Sequence, residues 1–329
     1  MTMRYSPPGQ QQGFVMILVL AALVLLSLMA ARLDFLAEKM REEAQFRIDL
    51  QNHYTETRTA LDRVLWQMLA QPLTIQGFGM NEPRLRIDGR PHRVDDSLMV
   101  SVQDLRGLIN LNFVDRLLLQ EFLVQQDIAV EDTDAFIDVL LDYIDVDDLV
   151  RLNGAETPDY LRAGLPAPRN DWLMHPEEAR NMLRWRDKPE LLDAISNYAT
   201  THSEGWINVN TAPETVLRIM PGATDEGVER LLERRETAVF TDVAAVQAET
   251  GIQLPDTSAV QLYPGRFYRV RIWSQLGFPA VEYVVMLTPS YPDRPYQILD
   301  TRYVQRPHVQ LEDSAIAVFP SLASEANRD

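Results

Sequence analysis

An acidic segment near the middle of the chain is the part of the sequence best suited to bind a ligand. It reads DYIDVDDLVRLNGAETPDY and runs from Asp142 to Tyr160. Hard cations such as Ca²⁺ take about six to eight oxygen ligands, and closely spaced carboxylates on a loop can supply several of them. Carboxylates this close together repel one another unless a counter-ion lies among them. The spacing does not fit an EF-hand, so the pattern leaves a calcium site and a solvated acidic loop both open. The oxygen-bearing side chains are Asp142, Asp145, Asp147, Asp148, Asn153, Glu156 and Asp159.

Two short stretches share the pattern G-x-I-N-x-N. GLINLN covers Gly107 to Asn112, GWINVN covers Gly205 to Asn210, and each precedes a helical pattern. Asparagine is a good helix N-cap, and its side chain also stabilises turns. The sequence therefore predicts a structural role for the four asparagines, which are Asn110, Asn112, Asn208 and Asn210.

The second copy continues into a segment that resembles a helix-hairpin-helix module, over residues 205–246. Members that bind DNA use the backbone N–H groups of a Gly-x-Gly hairpin to bind phosphates at a helix N-terminus. Here the hairpin reads MPGATDEG: Gly222 is present, Thr224 takes the second glycine position, and Asp225 and Glu226 follow. Two carboxylates there would repel a phosphate, so we expect a structural hairpin.

The remaining reactive residues form no recognisable catalytic motif. The five histidines are scattered, there is no cysteine, and the sequence contains no H-E-x-x-H, G-x-S-x-G or P-loop pattern. The 48 acidic residues against 31 Lys and Arg give a formal net charge of −17, which disfavours nucleic acid and suits a cationic partner or a divalent metal. The sequence therefore predicts a protein that is not an enzyme and has no disulfides.

The N-terminal part of the chain contains an apolar run, in which every residue from Phe14 to Ala31 is apolar except Ser27. The run exceeds the roughly 7 to 15 residues of a signal-peptide core and reaches the roughly 17 to 25 of a spanning helix. No Gly or Pro follows until Pro72, and apolar residues recur at helical spacing. We predict one helix over 14–70 with a transmembrane part over 14–31; a plain signal-anchor and a signal peptide cleaved before Arg32 are the alternatives.

Strand patterns bracket a helical block in the rest of the chain. RLRID and LMVSVQD lie in a β part at 71–103, and RFYRVRIW, AVEYVVMLT and PYQILDTRYVQ lie in its second half at 262–306. Residues 104–261 carry helical patterns, among them HPEEARNMLRW. The simplest fold is α+β: a pilin-like long N-terminal helix packed on an antiparallel sheet, with a large mostly helical domain inserted between strands. The acidic tail at 307–329 is predicted to be flexible.

A polar leader at 1–13, followed by Phe14 and this helix, resembles a type IV prepilin. The resemblance implies that a prepilin peptidase cuts between Gly13 and Phe14 and that the new N-terminal Phe14 is methylated. The fifth residue after the cut is Leu18, where most pilins have Glu. A buried Glu is tolerable only when paired, usually with the α-amino group of a neighbouring subunit. A subunit with Leu18 lacks that tie to a subunit above it.

The order of four features resembles minor pseudopilin K of type II secretion systems over nearly the whole chain. They are the prepilin start without Glu, LRGLINLN, DYIDVDD followed by NGAETPDY, and INVNTAPETVLRIMPG. The resemblance implies a subunit at the tip of the pseudopilus with minor pseudopilins I and J, which starts or caps assembly and supports export of folded proteins across the outer membrane. It also implies an inner-membrane anchor, a periplasmic globular part and contact with the inner-membrane assembly platform.

The same resemblance bears on ligands and on further partners. Calcium is bound within the K subunit in that family, and the nearest candidate ligands here are Asp145, Asp147, Asp148 and Glu156. Contact with the outer-membrane secretin or with an exported protein is a further implication.

The alternative function is that of a minor subunit of a type IV pilus or of a DNA-uptake filament.

Overall fold

The computed structural model describes residues 12–202, 206–254, 258–274, 277–305 and 316–320. The chain forms two compact units, Met1–Glu56 and Thr57–Asp329. The first described element is helix α1 (Gln12–Ala70), so the predicted long N-terminal helix is confirmed. Within the described part of the chain, α1 is the one helix that is long and apolar enough to cross a membrane, from Val15 onward.

The second unit is built around a six-stranded sheet whose order is β10-β9-β8-β5-β4-β11. Neighbouring strands pair antiparallel, except that β11 runs parallel to β4. Short strands β1 to β3 form a separate antiparallel sheet, and β6 pairs parallel with β7. In chain order the strands are β1 (Leu73–Thr74), β2 (Gly77–Phe78), β3 (Leu85–Arg86), β4 (Asp88–Arg93), β5 (Leu98–Asp104), β6 (Ile109–Asn110), β7 (Ala199–Thr200), β8 (Phe267–Ser274), β9 (Ala280–Leu287), β10 (Tyr296–Val304) and β11 (Ala317–Val318).

The last turns of α1, from Thr57 onward, pack on one face of this sheet. Leu61, Val64 and Met68 recur at a helical spacing of three and four residues and are buried. They pack in one hydrophobic cluster with inward-facing strand residues such as Val100 and Val270. All seven residues of β5 are buried, which is typical of a strand covered on both faces. The predicted arrangement of a helix on an antiparallel sheet is confirmed.

Residues between β5 and β8 fold mainly into helices with a hydrophobic core of their own. The α-helices are α2 (Arg116–Gln125), α3 (Val130–Ile144), α4 (Thr157–Arg162), α5 (Pro189–Tyr198), α6 (Glu214–Arg218), α7 (Asp225–Thr237) and α8 (Val243–Thr250), and 3₁₀ turns cover Leu105–Gly107, Pro176–Asn181, Trp185–Asp187 and Ala259–Leu262.

Two sequence predictions of local structure are wrong. The pattern HPEEARNMLRW forms two 3₁₀ turns and no α-helix, and its buried residues Ala179, Met182 and Trp185 are three apart, which matches three residues per turn. The predicted flexible tail contains β11, which pairs with His92 and Arg93 of β4. Hydrophobic residues at this point explain the pairing, since the following residue, Phe319, packs into the sheet core. Residues 307–315 and 321–329 of that tail lie outside the described residues.

Asp104, at the end of β5, joins the sheet to the inserted helices. Its fully buried carboxylate accepts hydrogen bonds from the backbone N–H groups of Arg106 and Gly265, both at 3.1 Å. It also accepts from Asn208 Nδ2 at 3.1 Å and Thr211 Oγ1 at 3.0 Å. Burial raises the pKa of Asp104, while these four donors oppose that rise. One carboxylate therefore ties together the points where the chain leaves and re-enters the sheet.

Candidate functional site

The acidic loop connects α3 to α4, and two buried carboxylates on α3 hold it in place. Asp142 is fully buried, and its Oδ2 accepts the backbone N–H of Arg151 at 3.1 Å. One turn earlier, Asp138 accepts the backbone N–H of Asn153 at 3.3 Å. The loop is so close to α3 that a Cβ added at Gly154 would lie 1.8 Å from Asp142 Oδ2. These contacts fold the loop back onto the helix that precedes it.

The four candidate calcium ligands fall into two groups. Asp147 and Asp148 are exposed: Asp147 Oδ1 accepts the N–H of Leu149 at 2.8 Å, and Asp148 Oδ1 accepts from Asn170 Nδ2 at 3.2 Å. Asp145 and Glu156 are instead drawn toward the loop interior. Asp145 Oδ2 accepts from Arg151 Nη1, while its Oδ1 is buried with no hydrogen-bond partner among the described residues. The structure therefore does not gather all four candidates into one site.

Glu156 is the most unusual of these side chains. It is only 2% exposed, and in the described part of the protein neither carboxylate oxygen has a hydrogen-bond partner. Burial raises the pKa of Glu156 to about 7, and the negative charges of Asp142 and Asp145 add to the rise. A buried carboxylate without a partner is costly, so this position favours either a proton or a cation.

The cation that the structure does contain here is Arg151, the single basic residue between Asp142 and Tyr160. Its Nη1 donates to both Asp142 and Asp145. The described residues contain no group of three or more acidic or histidine side chains that could hold a metal ion as the side chains now lie. The chemistry of the donors still fits a hard cation, because Glu156 and one oxygen of Asp145 are buried and unsatisfied. Calcium binding therefore stays a prediction.

Asp142 belongs to the acidic segment but is not among the predicted ligands, and neither Arg151 nor Gly154 was predicted to take part in the site. One signal was available for Arg151, which is alone among six acidic residues in its segment. The place of Asp142 depends on how the loop returns to α3, and that return is not visible in the spacing along the chain.

The same loop also exposes several large apolar side chains. Leu152 is 96% exposed, Val146 86% and Leu149 77%. A neighbouring segment lies beside the loop, since Asn170 Nδ2 donates to the backbone oxygen of Asp147 at 3.4 Å. Two residues further on, the ring of Trp172 packs against that of Phe113, with 5.1 Å between the ring centroids. We call this set the apolar loop surface; it consists of Val146, Leu149, Val150, Leu152, Trp172 and Phe113. Exposed apolar groups concentrated in one place are typical of interaction sites.

The repeated asparagines make the same hydrogen bonds twice. In each copy the first asparagine accepts the backbone N–H of the second: Asn110 from Asn112 at 2.9 Å, and Asn208 from Asn210 at 3.0 Å. The second asparagine then binds two distant segments. Asn112 Nδ2 donates to the oxygens of Leu173 and Thr201, and Asn210 Nδ2 donates to those of Phe240 and Leu262. Each second asparagine also accepts a backbone N–H, from Leu173 or from Phe240. The motif thus ties two returning segments at each place.

The hairpin between α6 and α7 is covered by the chain that follows α8. Gly222 has a φ of 76°, and a Cβ there would lie 2.4 Å from the backbone oxygen of Gly251. The N–H of Gln253 donates to the oxygen of Pro221 at 2.8 Å. Asp225, at the start of α7, has an exposed side chain. Both the cover and the exposed carboxylate disfavour phosphate binding at this hairpin.

The prepilin residues lie at the start of α1. Gly13 and Phe14 fall within the helix, and Leu18 is 59% exposed on it. Residues 1–11 of the predicted leader lie outside the described residues, as does Gly205 of the second repeat. Cleavage after Gly13 and methylation of Phe14 stay predictions.

Comparisons with known proteins agree with this fold. The model of the family "Type II secretion system (T2SS), protein K" matches residues 207–262, which lie inside the inserted domain. No curated protein sequence matches the chain. GspK in the crystal structure of the GspK-GspI-GspJ complex from the enterotoxigenic Escherichia coli Type 2 Secretion System is similar in fold, with a TM-score of 0.53 at 16% identity over 82% of this chain and 100% of that chain. The predicted resemblance to the K family and the predicted pilin-like α+β fold are confirmed.

Proposed function

We propose that this chain, which carries the protein K family match at residues 207–262, acts as a minor pseudopilin of a type II secretion system. That match is the observation that carries the proposal, because it lies in the inserted helical domain and not in the helix and sheet common to pilins. The apolar part of α1 is a candidate membrane anchor. We expect this anchor in the inner membrane, with the second unit in the periplasm, and we expect no enzymatic activity.

The position that we propose for the subunit is the tip of the pseudopilus. GspK is part of a complex with GspI and GspJ in the similar solved structure, and we expect the corresponding minor pseudopilins I and J to be the partners here. Leu18 lacks the carboxylate that would pair with the α-amino group of a neighbouring subunit. The inserted residues between β5 and β8 add bulk that ordinary pilin subunits lack. Both features suit a subunit that starts or caps the filament.

Calcium belongs to the same proposal. Asp142, Asp145 and Glu156 would hold the ion, because Asp142 at the end of α3 and Asp145 and Glu156 of the loop are the least exposed carboxylates of this segment. A bound calcium ion supplies two positive charges and neutralises these side chains. Asp147 and Asp148, both exposed, would contribute only if the loop moved. The structural consequence that we expect is a loop fixed more firmly against α3.

We propose that the apolar loop surface contacts the secretin or an exported protein. Its apolar side chains are exposed, and Asp147 and Asp148 lie among them. A matching protein surface would be apolar with basic residues at its edge. The prepilin peptidase would first process the chain in the inner membrane, where α1 anchors it. The inner-membrane assembly platform would then insert it into the filament.

The alternative function, in a type IV pilus or a DNA-uptake filament, has less support. Its sequence basis is the helix-hairpin-helix module, and the hairpin is covered by residues 251–253 with Asp225 exposed beside it. The formal net charge of −17 also opposes DNA binding.

Co-purification from membranes tests the proposed function. The tagged full-length chain is extracted from inner membranes in mild detergent, and the proteins bound to it are measured by mass spectrometry, alongside export in a deletion strain. We expect I and J in stoichiometric amounts, together with loss of export that is restored by the gene. Normal export in the deletion strain, or loss of DNA uptake alone, would contradict the proposal.

A further inference from the structure

We propose that Arg151 is an internal cation that competes with calcium for Asp142 and Asp145. When calcium binds, the Arg151 side chain must leave these carboxylates, and the loop that carries it must change. This inference rests on the calcium site proposed above and concerns how that site is filled and emptied.

The first observation is the position of the Arg151 guanidinium. Its Nη1 is shared between Asp142 Oδ1 and Asp145 Oδ2, so one nitrogen lies between two carboxylates. The side chain of Asp142 is fully buried and that of Asp145 is 24% exposed. A cation that bridges two carboxylates in this way occupies the position that a metal ion would need.

Several carboxylate oxygens of the loop are left without a hydrogen bond when Arg151 is in this position. Three buried carboxylate oxygens of the loop have no hydrogen-bond partner among the described residues: both oxygens of Glu156 and Oδ1 of Asp145. Arg151 bonds Asp142 and Asp145, and no bond from it reaches Glu156. Calcium carries twice the charge and accepts about six to eight oxygens from any direction, whereas the donors of a guanidinium are fixed in a planar fork.

The two cations exclude each other because they use the same oxygens. Close approach of calcium to Asp142 Oδ1 and Asp145 Oδ2 would bring it against the guanidinium, and like charges at such distances repel strongly. Arg151 is able to leave, since its side chain is already 36% exposed and becomes hydrated as it moves outward. Its backbone stays attached through the N–H bond to Asp142 Oδ2.

Release of the Arg151 side chain would change the arrangement of the apolar loop surface. Leu149, Val150 and Leu152 lie within two residues of Arg151, and all three are exposed. A change in the direction of the Arg151 side chain alters the loop between Asp147 and Gly154. The exchange of one cation for the other therefore links calcium to the surface assigned to partner contact.

The test measures calcium binding to the full-length chain in detergent micelles after removal of metal by a chelator. Calcium chloride is titrated by calorimetry into the wild type, Arg151→Gln and Arg151→Lys. We expect Arg151→Gln to bind calcium about tenfold more tightly or better, because the competing charge is gone. Arg151→Lys keeps the charge, so its affinity should stay within about threefold of the wild type.

Arg169→Gln is the matched control for the general effect of removing a positive charge. Arg169 is 32% exposed in its side chain, and its guanidinium bonds Glu178 at 3.0 Å and neither of the two shared carboxylates. We expect its calcium affinity to change by less than about threefold. Equal gains in Arg151→Gln and Arg169→Gln, or no gain in Arg151→Gln, would overturn the competition.

Hydrogen exchange gives a second readout that does not depend on the affinity. Without calcium, the amides of residues 145–156 should exchange faster in Arg151→Gln than in the wild type, and calcium should remove the difference. Equal exchange in the two ion-free proteins would contradict the role of Arg151 as an internal cation.

Failure of the calcium site and failure of the competition give different results. Binding in the wild type that is lost in Glu156→Gln but unchanged in Arg151→Gln would keep the site and reject the competition. Binding in Arg151→Gln alone would support the competition, because Arg151 would then block the site. No binding in any variant would reject both, and co-purification with I and J would still test the tip function.

Discussion

Substitution of Glu156 by glutamine should stabilise the calcium-free protein. The pKa of Glu156 is raised to about 7, mainly by burial, from an ordinary value of 4.5. Above pH 7 the ionised side chain is therefore held in a site that favours its protonated form, and the difference corresponds to about 3 kcal/mol of unfolding free energy. Glutamine removes the charge and keeps the shape, so we expect most of this energy to be regained.

The pH dependence has a definite sign. A folded-state pKa above the unfolded value means that the folded protein binds the proton more tightly. Stability from this group is complete below pH 4.5 and is lost as the pH rises from 4.5 to about 7. The gain from Glu156→Gln should therefore be largest at pH 8 and should vanish near pH 4.5.

Thermal unfolding of the full-length chain, followed by tryptophan fluorescence in chelator, measures this gain. About 3 kcal/mol corresponds to a rise in Tm of roughly 6 to 12 °C for a domain of this size. Glu233→Gln is the control, since Glu233 is exposed on α7 and its substitution should change stability by less than about 0.5 kcal/mol. With saturating calcium the difference in Tm should reverse its sign, because the wild type then binds calcium through the Glu156 carboxylate, which the variant lacks. A lower Tm for Glu156→Gln at pH 8 in chelator would refute the reasoning.

Three other substitutions test contacts in the loop, in the second repeat and in the sheet. Gly154→Ala should destabilise the protein by about 2 kcal/mol or more in thermal unfolding, because the new Cβ would lie 1.8 Å from Asp142 Oδ2. Asn210→Ala should cost about 2 to 4 kcal/mol in urea unfolding, since it removes three hydrogen bonds that include both backbone groups of Phe240. Burial raises the pKa of Glu282, but three neighbouring arginines lower it to about 2. The contribution of Glu282 to the unfolding free energy should therefore be present above pH 4.5 and lost as the pH falls toward 2. Glu282→Gln should flatten that part of an acid-unfolding curve.

Each of these has a control and a contradicting result. Gly164 has no heavy atom within 4 Å of an added Cβ, so Gly164→Ala reports only the strain of a φ of 70°; an equal loss in both variants would reject the steric argument. Loss of less than 0.5 kcal/mol in Asn210→Ala would mean that water replaces its partners. An unchanged acid-unfolding curve in Glu282→Gln would show that the arginines do not depend on this carboxylate.

The sheet and the longer helices could be predicted from local sequence pattern. Strands β8, β9 and β10 are rich in β-branched and aromatic residues and are separated by turns, so their pattern is strong. Strand β4 was missed because Gly89 and Pro91 interrupt it, and its register shifts between Asp88 and Pro91. Strand β11 was missed because it has only two paired residues, which are too few to form an alternating strand pattern.

The acidic loop shows why a ligand set is harder to predict than a fold. The sequence indicates that carboxylates are dense between Asp142 and Asp159, but not which of them turn inward. Asp147 and Asp148 have the most suggestive spacing, yet both are exposed. Asp142 and Glu156 are buried because the loop folds back onto α3 and α4 begins directly after Glu156. That arrangement depends on long-range packing and on the lack of a side chain at Gly154.

Mass spectrometry of the N-terminal peptide from membrane-extracted protein tests the central claim most directly. If the chain is a pseudopilin subunit, we expect a mature chain that begins at Phe14 with a methylated α-amino group. A chain that begins at Met1, as for a plain signal-anchor, or at Arg32, as for a cleaved signal peptide, would contradict it.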